Sequence, residues 1–114
     1  HDSCRMGRLS SLYSEPRELL MKVPGLEIVE MELSQDRAQC CGSNLWINCD
    51  EVSKKLQQDL LDQAGRTNTE LMLTSCDKCR IHLTCAQLEN GDLKISVQTD
   101  NILRFLYRKG VKKD

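Results

Sequence analysis

The chain has 114 residues, 39% of them apolar and 29% charged, with 16 basic against 17 acidic side chains for a formal net charge of −1. A domain of this size buries about two-thirds of its unfolded surface, so it needs no covalent staples. The balanced charge argues against a nucleic-acid-binding domain, and no apolar run approaches the ~18 residues that mark a membrane span.

Several elements follow in chain order. Ser14 is placed to cap a short helix carrying Leu19, Leu20 and Val23, which Pro24-Gly25 ends. Leu26 to Leu33 has apolar residues on both parities and predicts a strand covered on both faces. A polar loop then delivers Cys40-Cys41-Gly42. Asp50 predicts an N-cap for a helix that buries Val52, Leu56, Leu60 and Ala64 and stops at Gly65. Leu71-Met72-Leu73 predicts a short buried strand, followed by a helix from Cys76 to about Glu89. Leu93, Ile95 and Val97 alternate as a half-wet strand does, and Asp100 opens a last helix on Ile102, Leu103, Phe105 and Leu106.

Alternating strands and helices predict an α/β fold, a mostly parallel sheet flanked by helices, with the cysteine loops at the sheet's carboxyl edge. His1-Asp2-Ser3-Cys4 has the character of a loop that follows a strand. A fourth strand is therefore expected before it, and residues 1–114 read as a single domain that is one half of a larger subunit.

Seven cysteines are about 6% of the chain, below the roughly 8–10% of a disulfide scaffold, and the number is odd. Metal or redox chemistry in a reducing compartment is the better use. The spacing is C-x35-CC-x34-C-x2-C, through Cys4, Cys40, Cys41, Cys76 and Cys79. Right-handed crossovers bring all of these loops to one edge of a parallel sheet. Cys76 and Cys79 sit at a helix start, which favours thiolates. A structural zinc site takes four ligands, usually as two separated pairs. Here there are five, one pair adjacent in sequence, and the two side chains of an adjacent pair diverge. Five thiolates so spaced favour a polynuclear iron–sulfur cluster over zinc, and no ferredoxin spacing is present.

The remaining candidates have ordinary alternatives. Cys85 reads as core packing and Cys49 as a buried thiol. His82 reads as a satisfied histidine, with a contact to the cluster edge as its second reading. His1 divides evenly between a neighbour of the site and a frayed end. Gly42 is there for the backbone, Trp46 for packing, and the basic C-terminus for solvation.

These residues resemble a known family. HDSCRMGR is similar to the HDPC-x-x-GR of the cysteine-rich CCG domain, found in heterodisulfide reductase subunits and in iron–sulfur subunits of glycolate, lactate and glycerol-3-phosphate oxidoreductases. PRELLMKVPGLEIVEME, CCGSNLWINCDEVSKKLQ and TSCDKCRIHLTCA resemble its other segments.

The resemblance implies a non-cubane [4Fe–4S] cluster on Cys4, Cys40, Cys41, Cys76 and Cys79, for electron transfer to or from a small disulfide. In methanogens that disulfide is coenzyme M–coenzyme B, cleaved in one-electron steps. Partner subunits carrying a flavin or iron–sulfur donor are implied, in a cytoplasmic complex or one peripheral to a membrane. The chain departs from the family in having one CCG motif where subunits usually carry two, so turnover by this chain alone is not expected. Asp77 and Ser3 also replace common prolines, without loss of a ligand. A non-catalytic zinc domain in an electron-transfer complex is the alternative, and a metal-free thiol switch the third reading.

Overall fold

The computed structural model describes residues 1–43, 50–89 and 98–110. Among the described residues, four α-helices and two strands order as α1 (Ser14–Met21), α2 (Glu51–Arg66), β1 (Leu71–Thr74), α3 (Asp77–Glu89), β2 (Gln98–Asn101) and α4 (Ile102–Arg108). A π-helical turn, Arg5–Leu9, and a 3-10 turn, Gln35–Arg37, punctuate the N-terminal third.

Local chemistry explains most of the boundaries. Asp50 caps α2 by accepting the Ser53 N–H at 2.9 Å, as expected. The helix passes through Gly65 to Arg66 and reverses at Asn68, whose φ is +55°. Its buried side is Ser53, Gln57, Leu60, Leu61 and Ala64, and Val52 is exposed. Ser14 begins α1 without capping it, and Leu19 points outward. Asp100 lies in β2, and Asn101 caps α4 through the Leu103 N–H at 2.8 Å.

The two strands pair in parallel, Leu71 opposite Gln98 and Thr74 opposite Asn101. Successive strand side chains point to opposite faces, so β1 divides the core in two. Met72 joins Leu60, Leu61 and Ala64 of α2 and Cys79, Leu83 and Ala86 of α3. Leu71 and Leu73 face the other way, against Leu20 of α1 and Ile102, Phe105 and Leu106 of α4. Helices therefore cover both faces of the sheet, and the α/β class holds.

One expected strand differs. Leu26 to Leu33 forms no strand: it belongs to no ladder, bends at residues 32–33, and is exposed at residues 27–30. The sequence is strand-like, yet β1 does not pair with it. The expected strand at Leu93–Val97, together with Trp46 and Cys49, falls outside the described residues. Among those described, no helix is long and apolar enough to cross a membrane.

Candidate functional site

Three segments far apart in sequence meet beyond the carboxyl end of β1. Cys76 follows the strand, and Cys79 stands in the first turn of α3. Cys41 comes from the loop before α2, and His1 arrives through its backbone nitrogen, which donates to the Leu73 carbonyl at 2.7 Å. Ser3 and Ser75 extend that junction, their hydroxyls 3.1 Å apart.

At the centre the Cys41 and Cys79 sulfurs are 3.1 Å apart, and both residues are buried. A ligand atom of His1 completes a set of three, all within 4.8 Å of one another. His1 Nδ1 is itself buried with no hydrogen-bond partner. A ring nitrogen beside two sulfurs is the donor set of a soft metal or cluster, so the residues present fit such a group.

The contact between the two sulfurs moves their acidities in opposite directions. The hydrogen bond with Cys79 drives the Cys41 pKa far below its ordinary value, against the opposing effect of burial. His1 and Ser43 act in the same direction, and the Ser43 N–H donates to the Cys41 sulfur at 3.4 Å. The same hydrogen bond, together with burial and the neighbouring Cys76, pushes the Cys79 thiol up. The N-terminal end of α3 adds a partial positive charge nearby.

Cys4 and Cys40 take a second position. They line one small cavity with Ser3, Gly7, Arg8 and Ala38. The Cys40 sulfur accepts the Gly42 N–H at 3.4 Å. The five cysteines of the spacing pattern thus divide, Cys41, Cys76 and Cys79 in one group and Cys4 with Cys40 in the other.

A polar strut behind the site holds the loop that carries Cys41. Ser53 Oγ donates to the Gly42 carbonyl at 3.2 Å and lies 3.2 Å from His82 Nε2. The Gln57 amide donates to His82 Nδ1 at 3.0 Å and to the His82 carbonyl at 2.8 Å. Nδ1 is then the acceptor and the ring proton sits on Nε2. Burial keeps this imidazole neutral by lowering its pKa, although the Cys41 charge opposes the shift. Gly42 has φ +88°, and a Cβ there would lie 3.1 Å from the Ser53 carbonyl oxygen and 3.3 Å from His82 Nε2. Only glycine makes this turn without strain.

His82 is therefore a satisfied buried histidine. Cys85 is exposed, not packed in the core. α3 buries Cys79, His82, Leu83 and Ala86, which turns Cys85 outward. Sequence reasoning missed Ser53 and Gln57, four residues apart on the stripe that also carries Leu60, Leu61 and Ala64. It also missed Arg17, which grips Asp2 through both terminal nitrogens at 2.7 and 2.8 Å and Glu30 at 2.5 Å.

The chain is 34% identical over 82 residues to a probable iron-sulfur-binding oxidoreductase, FadF, of Bacillus subtilis, covering 69% of this chain and 12% of that protein. It is 32% identical over 110 residues to one subunit of the fumarate reductase (CoM/CoB) of Methanothermobacter marburgensis, covering 93% of this chain and 21% of that protein. It is 27% identical over 108 residues to one subunit of the dihydromethanophenazine:CoB–CoM heterodisulfide reductase of Methanosarcina barkeri, covering 93% and 26%. The chain thus spans about a quarter or less of each of these relatives. No solved structure matches it. Residues 1–84 match the model of the cysteine-rich domain, CCG, and with its cysteine segments gathered as described, the chain belongs to that family.

Proposed function

We propose that this chain is an iron–sulfur electron-transfer module, one CCG unit of a longer oxidoreductase subunit in a multi-subunit redox complex. Cys4, Cys40, Cys41, Cys76 and Cys79 hold its cluster, of the non-cubane [4Fe–4S] type. The observation that carries the reading is the buried Cys41–Cys79 sulfur pair, 3.1 Å apart and drawn from two different signature segments. The iron–sulfur and heterodisulfide-reductase relatives support it. When bound, such a cluster supplies one-electron transfer and an affinity for sulfur.

The protein's own contribution is positional. The Gly42 and Ser43 N–H groups donate to the two adjacent sulfurs, which lowers the cost of holding thiolates out of water. The His82–Ser53–Gln57 strut fixes the turn between them. The substrate of the complex is a small disulfide, and the electron donor is a flavin or iron–sulfur subunit.

Zinc is the second reading. It is favoured by the compactness of the His1, Cys41 and Cys79 ligand atoms, which suits a single ion.

Anaerobic iron–sulfur reconstitution, followed by iron, sulfide and zinc analysis and a visible spectrum, separates the two. About four irons with matching sulfide and broad visible absorption, lost in Cys41→Ala, is the expected result. One colourless zinc per chain overturns the cluster assignment.

A further inference from the structure

Ser3 stands immediately before Cys4, and Ser75 immediately before Cys76. Their hydroxyls lie 3.1 Å apart, although the two residues are 72 positions apart in sequence. We propose that Ser3 and Ser75 are positioning residues, a latch that holds the Cys4 loop against the Cys76 loop so that the two cysteine groups serve one metal centre. The inference rests on the iron–sulfur reading and adds to it how the ligand loops are held together.

A latch positions its loops only if both ends are anchored. On the Ser75 side, Thr74 is fully buried in β1, pairs with Asn101, and accepts the Cys76 N–H on its hydroxyl at 3.4 Å. The Asn101 side-chain amide donates to the Asp77 carboxylate at 3.0 Å, which ties the start of α3 to the end of β2. Ser75 therefore sits between two fixed neighbours. On the Ser3 side, Asp2 accepts the Gln35 N–H at 2.8 Å and grips Arg17, and Arg8 donates to the Ala38 carbonyl. Gln35 and Ala38 lead into Cys40, so these bonds fasten the Cys4 loop to the Cys40 loop. None of these three bonds reaches the Cys76 loop. The Ser3–Ser75 bond does.

Ser3 has the chemistry of a latch. It is 1% exposed, and a hydroxyl so buried needs partners. It has two, the Ser75 hydroxyl and the Met6 N–H, which it accepts at 3.4 Å. One side chain thus joins the turn after Cys4 to the residue before Cys76. Proline stiffens its own stretch of backbone but carries no group that bonds to another segment. At both positions where this chain departs from the family's common prolines, Ser3 and Asp77, the side chain bonds across to a distant segment. Links between loops stand here in place of stiffness within them.

The test alkylates the metal-free chain with iodoacetamide and reads each cysteine by mass spectrometry, at the loop opposite the substitution. Ser75→Ala is expected to speed modification of Cys4 by about threefold or more, and Ser3→Ala to speed Cys76 similarly, the scale of one neutral hydrogen bond. Ser75→Thr keeps the hydroxyl at a half-buried position and is expected to restore the wild-type rate at Cys4. In a Ser3→Ala background, Ser75→Ala is expected to change the Cys4 rate no further, since both remove the same bond. Buried Cys41 is the internal reference for general loosening. An unchanged Cys4 rate in Ser75→Ala, a fast rate kept in Ser75→Thr, a further increase in the double variant, or an equal increase at Cys41 overturns the latch. After iron–sulfur reconstitution, Ser75→Ala is expected to lose iron to a chelator faster than wild type and Ser75→Thr is not; equal loss in all three overturns the positioning role. Failure of the wild-type chain to take up iron counts against the cluster reading alone, because the alkylation rates decide the latch without metal.

Discussion

The Cys41 and Cys79 sulfurs lie 3.1 Å apart, and their contact shifts the two groups in opposite directions, Cys41 down and Cys79 up. Thirty-seven residues separate them in sequence, and the contact depends on α2 and α3 packing against the same face of β1. Reactivity follows from that packing.

In the metal-free chain, Cys41 is expected to be a thiolate at neutral pH. Cys79→Ala removes the hydrogen bond that most strongly lowers its pKa and returns Cys41 toward an ordinary thiol. Ultraviolet thiolate absorbance followed against pH checks this. An unchanged titration in the variant means that His1 and Ser43 hold the charge without Cys79.

Gly42→Ala is expected to destabilise the fold by about 2 kcal/mol or more. A left-handed conformation costs a non-glycine residue about 1–2 kcal/mol, and the new methyl group also presses on backbone and on Leu56. Urea unfolding measures the loss. A cost under about 0.5 kcal/mol, the size of a neutral surface change, contradicts the strained-turn account.

Gln57→Leu leaves His82 Nδ1 and the His82 carbonyl without their shared donor, at an expected cost of about 1–3 kcal/mol. Because the strut ends on the Gly42 carbonyl, exchange at the Ser43 amide should quicken in the same variant. Stability lost with no change at Ser43 places the effect in the α2–α3 packing alone.

The Asp2 carboxyl gives acid sensitivity with a definite sign. Burial works to raise its pKa, but hydrogen bonds from Arg17 and the Gln35 N–H, with the Arg17 charge, bring it below 3.8. The folded pKa lies under the unfolded value, so the Asp2 contribution is fully present above about pH 4 and is lost as pH falls through the folded pKa. Arg17→Gln should therefore destabilise at neutral pH, by an amount that shrinks as the pH drops below 3.8. A stability difference that stays constant with pH contradicts this.

Elements written by local chemistry were legible in the sequence: Asp50 as a cap, β1 as an apolar run, and α3 with two cysteines at its start. So were the family and its cysteine pattern. Leu26 to Leu33 was misread because a strand is a property of its neighbour as well as of its own side chains, and no described strand pairs with it. His1 could not be placed from sequence, since its approach to Cys41 and Cys79 is set by one backbone bond to Leu73. Cys85 was readable in principle: Cys79, His82, Leu83 and Ala86 already follow helical spacing, and position 85 falls outside their stripe.

Cys40 and Cys41, adjacent in sequence, form a fork, one prong buried against Cys79 and the other half-buried in the cavity shared with Cys4. Two thiols joined by a single peptide bond thereby become chemically separate addresses. In the metal-free protein a bulky alkylating reagent meets Cys40 first, and Cys41 only after α2 and α3 have parted.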